Sequence, residues 1–492
     1  MTAKLKKFLF ENSTLRQTIL KNTFWMSFGQ IASRLIRAVV IIYAARILGA
    51  AGYGVFSYAL SLAGFFTIFS DIGLTPFLTR ESAKAPELRM TYIATSFTLK
   101  LCLVAINSII ILVAVPFITK MPGAIPLLPF LIVLFAFDSI RDFSFAVTRS
   151  IQKMETEAGI NILTNIAILA FGLGALFFFG TAKALMIAYT VGTGIGMIIG
   201  LWTLRSYFHK FWTSFSKAHV KPILLEAWPF GVSALLSTIM LNTDTIMLGA
   251  MRTEAEVGYY SAAQRIISIL YLIPGFLSVS VFPVMAQLAI KNKERFVGVL
   301  EKALRAVLLV AFPIALGGAV LASPLILFIF GKEYLPAAVT LQILLFNVFF
   351  VFPGSIINNG IFAFGKQKQL LVAFAIGGIG NVILNFLLIP TFGIAGSAAA
   401  TIVTQFLSNG YTFFAMQRIT PFTSLGLVKR IAPAGIIMTI AALCMNAIGT
   451  HVLITVCISG ILYAGLLYVF REELITNLRT EIVNFFNPSV RE

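Results

Sequence analysis

Residues Phe24 to Gly49 read FWMSFGQIASRLIRAVVIIYAARILG, an apolar run that carries Arg34 and Arg37 near its middle. As an α-helix rising 1.5 Å per residue, the run is long enough to cross a hydrocarbon core of about 30 Å. Residues three apart share a helix face, so the two guanidinium groups point the same way. Each costs about 2.5–3.5 kcal/mol at the bilayer centre on insertion scales, so roughly 5–7 kcal/mol must be offset by partners, water or an anion. The two arginines therefore face a polar interior.

The composition around this run sets the class. Of 492 residues, 59% are hydrophobic and 11% charged, with a mean hydropathy of +0.93. A soluble domain carries about 25% charged residues. The chain reads as an all-α polytopic membrane protein. Its net charge of +18 would also suit nucleic acid, but membrane proteins gather Lys and Arg in their cytoplasmic loops, and that explanation can be checked. Cys102, Cys444 and Cys457 sit in apolar runs without metal-ligand or disulfide spacing, and read as small packing residues.

Hydropathy predicts fourteen spans, near 23–48, 53–78, 91–117, 125–149, 158–180, 183–206, 222–250, 258–289, 297–321, 335–364, 368–390, 393–417, 428–448 and 452–470. Residues 1–22 are basic and partly amphipathic, with Lys4, Lys6, Lys7, Arg16 and Lys21, and read as a cytoplasmic interfacial helix. Spans 1–6 occupy 23–208, a cytoplasmic linker occupies 209–221, spans 7–12 occupy 222–418, and spans 13 and 14 with a cytoplasmic tail occupy 419–492. The odd connections hold only Arg46, Lys120, Lys183, Arg252 and Lys332. The even connections and both tails carry roughly five times as many cations, which puts both termini in the cytoplasm and accounts for the net charge without nucleic acid.

The two halves echo each other. Leu48-Gly49 followed by Gly52-Tyr53 recurs as Leu248-Gly249 followed by Gly258-Tyr259, and Asn161 and Asn165 recur at the same i,i+4 spacing as Asn381 and Asn385. An even number of spans per half makes these parallel repeats, two six-helix lobes with two C-terminal helices appended.

The stretch ARILGAAGYGVFSYALSLAGFFTIFSDIGLTPFLTRESAK from Ala45, with LNTDTIMLGAMRTEAEVGYYSAAQRI from Leu241 and FGIAGSAAATIVTQF from Phe392, resembles the polysaccharide-biosynthesis (oligosaccharide) flippases. Their superfamily also holds the multidrug and toxin extruders and the lipid II flippases. The resemblance implies a V-shaped, MATE-like pair of lobes in the cell membrane. It implies a cargo of polyprenyl-pyrophosphate-linked oligosaccharide, moved from the cytoplasmic to the outer leaflet by alternating access. A glycan and a pyrophosphate cannot cross hydrocarbon unaided, whereas the isoprenoid tail can stay in lipid.

Arg34 and Arg37 suit the pyrophosphate, because a guanidinium offers two parallel donors to phosphate oxygens. Arg141, Arg265 and Lys100 are further candidates for the headgroup. Asp138, Arg141 and Asp142 lie at i, i+3 and i+4 and can neutralise one another. Asp71, Asp138, Asp142 and Asp244 are candidates for charge pairing, Asp244 with Arg265, or for taking up Na⁺ or a proton as the coupling ion. Asn161, Asn165, Asn381 and Asn385 can hydrogen-bond between helices or contact sugar hydroxyls. Glu226, near the cytoplasmic surface, reads as solvated.

Gly192, Gly196 and Gly200 allow close helix approach, and Pro274, Pro283, Pro313 and Pro353 should bend their helices. No nucleotide loop or metalloprotease motif is present and His209, His219 and His451 lie in loops or at span ends, so a transporter without cofactor or metal is expected, not an enzyme. Transport then draws on an ion gradient or the membrane potential. The expected partners are membrane lipids, a polysaccharide polymerase and glycosyltransferases, around a monomer. Three other readings stay open. A multidrug exporter needs an acidic cavity, against which Arg34 and Arg37 argue. Lipid II flippases typically place Asp after the first arginine, where this chain has Leu35. A non-transporting scaffold for glycan synthesis would need buried acids on both arginines.

Overall fold

The computed structural model describes residues 10, 15–208, 214–423, 426, 428–472 and 474. Residues 1–9 and 11–14 of the interfacial segment, 209–213 of the linker and nearly all of the tail lie outside the described residues. Among the described residues every regular element is helical. Eleven of the helices are long and apolar enough to cross a membrane, and Ile431–Ala447 is a shorter apolar one.

The first helix, α1, runs from Leu15 to Asp71, 57 residues, and leaves helical geometry at Gly49 (φ 66°, ψ 178°). A straight helix of that length would measure about 86 Å, far more than one crossing needs. A left-handed φ with ψ near 180° is essentially confined to glycine, so Gly49 alone makes the turn expected between spans 1 and 2.

The second span ends earlier than hydropathy suggests. Instead of continuing to residue 78, it stops at Asp71, passes through Ile72 (φ 41°) and Gly73 (φ 82°), and restarts as α2, Leu74–Lys84. A β-branched residue at positive φ costs on the order of 1–3 kcal/mol. The break brings two backbones together. A Cβ on Gly73 would lie 2.1 Å from the Ala227 carbonyl oxygen, and one on Gly231 would lie 2.7 Å from the Ile72 carbonyl carbon.

The chain divides into two compact units, Met1–Ser261 with Asn381–Ile394, and Ala262–Gly380 with Ala395–Glu492. The first contains α1, α2, α3 (Arg89–Ile118), α4 (Leu128–Ser150), α5 (Met154–Phe178), α6 (Ala182–Thr203), α7 (Lys217–Met251) and the start of α8 (Glu254–Leu270). Its helices approach closely at glycines. A Cβ on Gly196 of α6 would lie 2.0 Å from Thr164 Oγ1, and one on Gly192 would lie 2.6 Å from Ile168 Cγ1. Gly54, just after the Gly52-Tyr53 pair, and Gly258 of its repeat are used this way. A Cβ on Gly54 would sit 1.9 Å from the Glu254 carbonyl oxygen, and one on Gly258 would sit 1.9 Å from that of Ala50.

The second unit contains most of α8, α9 (Leu272–Lys291), α10 (Lys293–Phe312), α11 (Ala337–Phe346), α12 (Val348–Ala363), α14 (Ile431–Ala447) and α15 (Val452–Val469). Helix α13, Gln367–Ile419, gives residues 381–394 to the first unit and the rest to the second, and leaves helical geometry at Gly393 (φ 59°, ψ −135°). The unit's core joins Met285, Phe296, Leu300, Leu304, Phe352, Ile356 and Met416. The span read as 258–289 is interrupted at Tyr271, just before Pro274, and Pro313 opens a π-helical turn, Pro313–Gly317. Both irregularities follow from the missing proline N–H. Pro353 lies inside α12. Cys102, Cys444 and Cys457 are exposed, so the packing role read from their apolar neighbours does not hold.

Candidate functional site

The part of α1 before Gly49 carries two accessible surfaces. Phe24, Phe28, Leu35, Val39 and Tyr43 form an exposed apolar row suited to lipid. Ser27, Gln30, Arg34 and Arg37 occupy a face roughly 140° away at 100° per residue. Gln30 and Arg34 are exposed there and Arg37 is half-buried. Toward Gly49 the same face closes, because Ile41 and Ala45 are fully buried. The polar face is thus open toward the start of the helix and sealed toward Gly49.

Close packing on α5 sets where these arginines end up. A Cβ on Gly29 would lie 2.8 Å from Ala158 Cβ, and one on Gly172 would lie 3.1 Å from Val40 Cγ1, so the helices ascend side by side. Two turns beyond the Gly29 contact, Arg37 Nε donates to Asn165 Oδ1 at 3.1 Å. Asn165, fully buried, donates through Nδ2 to the carbonyl oxygen of Asn161 at 2.8 Å and to its Oδ1 at 3.1 Å. Sequence reasoning offered both asparagines to the glycan. The structure places Asn165 behind Arg37.

On α4, Arg141 Nη2 lies 2.8 Å from Asp138 Oδ1 and 3.0 Å from Asp142 Oδ1, with its guanidinium 5.4 Å from the centroid of Phe145. The expected triad forms on one helix face, and Arg141 is buried within it. Asp138 is also within electrostatic reach of Arg37.

Lys100 of α3 is 1% exposed, and its Nζ lies 2.8 Å from Asp71 Oδ1. Asp71 also accepts from the Thr75 hydroxyl at 2.6 Å and from the Thr75 amide at 3.3 Å, tying the ion pair to the first turn of α2. Nearby, Arg80 pairs with Glu226 at 2.9 Å and lies over the Phe230 ring, so Glu226 is engaged and not merely solvated.

The fourth group surrounds Asp244, 2% exposed on α7. Its Oδ2 accepts from the Tyr260 hydroxyl, and its Oδ1 accepts from Asn381 Nδ2 at 3.0 Å and Asn385 Nδ2 at 2.7 Å. These neutral donors hold the carboxylate on the first unit's side. Arg265 lies half-buried in the second unit. Nearby, Arg252 donates to the Ile389 and Pro390 carbonyls, the second at 2.8 Å, satisfying acceptors freed near the α13 break.

Gln30, Tyr260 and Thr75 join these groups without having been singled out in the sequence. Gln30 was readable, since it precedes Arg34 by four and Arg37 by seven. Tyr260 and Thr75 are brought in by folding alone.

These groups accompany clear relationships to known proteins. The family model described as "Polysaccharide biosynthesis protein" matches residues 19–289, more than half the chain, and the MatE model matches residues 229–387. A putative O-antigen transporter of Shigella flexneri is 25% identical over 399 residues, covering 77% of this chain and 93% of that protein. A probable low-salt glycan biosynthesis flippase, Agl15, of Haloferax volcanii is 25% identical, covering 73% and 75%. Among solved structures, the lipid II flippase MurJ in an inward closed conformation matches with a TM-score of 0.73 at 19% identity, over 91% of this chain and 99% of that one. An inward-facing multidrug resistance MATE family transporter matches with a TM-score of 0.64 at 16% identity, over 80% and 98%. The chain is thus a multi-pass membrane protein with a MurJ- and MATE-like fold, and it belongs to the polysaccharide biosynthesis protein family.

Proposed function

We propose that this protein is a flippase that carries a polyprenyl-pyrophosphate-linked oligosaccharide from the cytoplasmic to the outer leaflet. The observation that carries the reading is the polar face of α1. Arg34 and Gln30 are accessible on a surface distinct from the lipid-facing row, and Arg37 stands beside them on an amide. An accessible guanidinium away from lipid needs a polar occupant, and a diphosphate fits its donor geometry. Lys100 and Arg141 are engaged by carboxylates, which favours structural roles for them; Arg34 and Arg37, with Arg265 in the second unit, are the headgroup contacts of this reading.

The glycan is that of a surface-polysaccharide repeat unit, a reading supported by relatives named for O-antigen and glycan transport. Splitting α1 at Gly49 and α13 at Gly393, and counting α14, supports a reading of fourteen crossings, an even number that keeps both termini on one side, which the loop charge assigns to the cytoplasm. With no nucleotide motif in the sequence, energy comes from an ion gradient or the membrane potential. Of the four acids considered for coupling, Asp71, Asp138 and Asp142 are tied to Lys100 or Arg141, which favours Asp244. Asn385 Oδ1 is buried with no hydrogen-bond partner among the described residues. With the Asp244 carboxylate and Asn381 Oδ1 it supplies the oxygen donors that a hard cation takes, and a proton would suit the carboxylate equally. A monomer working beside a polymerase and glycosyltransferases completes the reading.

The test is complementation of surface polysaccharide in a host lacking its own flippase. Arg34→Ala and Arg37→Ala should each abolish polysaccharide at the surface while the protein stays in the membrane. Undiminished polysaccharide in both variants rejects the role.

A further inference from the structure

We infer that Asn165 is a positioning residue for cargo recognition, acting through Arg37 and not on the sugar. The inference rests on the reading of α1 above as the headgroup site. Asn165 is fully buried, so no glycan hydroxyl reaches it. Its amide sense follows from its neighbours. Nδ2 donates to two acceptors on Asn161, one turn back, and only this sense leaves Oδ1 on the side of the Arg37 Nε–H. A guanidinium held through Nε has its plane restrained, and its Nη edge turns away from the holding group. That restraint lowers the cost of ordering the side chain when cargo binds.

The second half of the chain repeats the arrangement with opposite polarity. Asn385 Nδ2 donates to Asn381 Oδ1 at 2.9 Å, matching the relay from Asn165 to Asn161, and the pair presents its nitrogens to Asp244. An asparagine pair one turn apart thus holds a charged side chain of a facing helix in both halves, a cation through oxygen and an anion through nitrogen. A glycan contact would not explain this correspondence, because Asn381 and Asn385 are also buried.

The experiment follows the movement of a fluorescent polyprenyl-diphosphate-linked disaccharide across vesicles containing wild-type protein, Asn165→Leu, Arg37→Lys, Arg37→Ala and the Asn165→Leu/Arg37→Lys pair. Loss of one hydrogen bond to a charged group should raise KM about tenfold or more in Asn165→Leu with little change in kcat. Lysine has no Nε–H fork, so adding Asn165→Leu to Arg37→Lys should change KM by less than about twofold. Equal losses in both backgrounds, or no loss in the wild-type background, overturn the positioning role. Transport at the wild-type rate in both Arg37 variants would instead reject the underlying site. If Asn165→Leu does not reach the membrane, Asn165→Ala enters the same comparison with the same criteria.

Discussion

Replacing Lys100 by methionine removes one partner of an ion pair whose ammonium side chain is 2% exposed and whose carboxylate side chain is 21% exposed. Breaking a buried pair from one side typically costs 3–5 kcal/mol, because the surviving charge has lost its compensation. The two sides are not equivalent here. Without Lys100, Asp71 keeps the Thr75 hydroxyl and amide as donors and some contact with solvent, so Lys100→Met should fall near the lower figure. Without Asp71, the ammonium is left nearly fully buried and the first turn of α2 loses its capping carboxylate, worth about 1 kcal/mol more. Asp71→Leu should therefore be the more damaging change. At 1.4 kcal/mol per decade, a 3–5 kcal/mol loss moves the unfolding equilibrium by roughly two to four decades. The double variant Asp71→Leu/Lys100→Met leaves no buried charge and should be more stable than Asp71→Leu alone. Thermal and chemical unfolding of the purified protein in nanodiscs measures all three. Additive single effects, each below about 1 kcal/mol, would refute the reasoning, since they would mean that the pair is not desolvated.

Gly258→Val should prevent the close approach to Ala50, where even a Cβ would lie 1.9 Å from a carbonyl oxygen, and should cost several kcal/mol or block accumulation in the membrane; wild-type melting would contradict it. Asp244→Asn puts an amide NH₂ among three donors that now share a carboxylate, and should lower stability by about 2–4 kcal/mol, read as a drop in melting temperature that Glu226→Gln does not reproduce. At Glu81, burial works upward on the carboxyl, but hydrogen bonds from Lys84 and Arg80 outweigh it and hold the group below its ordinary value. A depressed folded-state value stabilises above the unfolded value, and the gain disappears as pH falls through the folded one. Melting should thus decline more steeply on acidification from pH 6 to about pH 3 in wild type than in Glu81→Gln, and parallel curves would exclude the effect.

The helical architecture was legible because apolar length and loop charge are strong one-dimensional signals. Arg34 and Arg37 were conspicuous for the same reason, as charges inside an apolar run. What could not be read was partnership. Nothing in the chain says that Asn165 faces Arg37 across 128 positions, or that Asn381 and Asn385 close on Asp244, because helix register is fixed by glycine contacts such as Gly29 with Ala158. The break at Ile72 and Gly73 was hidden too. Isoleucine is a poor signal for a positive φ, and the reason for the break is the Gly231 backbone, far away in sequence. The carboxylate partners of Lys100 and Arg80, Asp71 and Glu226, were hidden for the same reason, each lying on another helix.

The most direct measurement is leaflet exchange of a fluorescent polyprenyl-diphosphate-linked oligosaccharide in vesicles containing wild-type protein or Arg34→Ala/Arg37→Ala, with matched protein content and an imposed ion gradient. The expected result is rapid exchange with wild type and a rate at the protein-free background with the double variant. Equal exchange by both proteins would contradict the account, as would a wild-type rate no faster than that of empty vesicles.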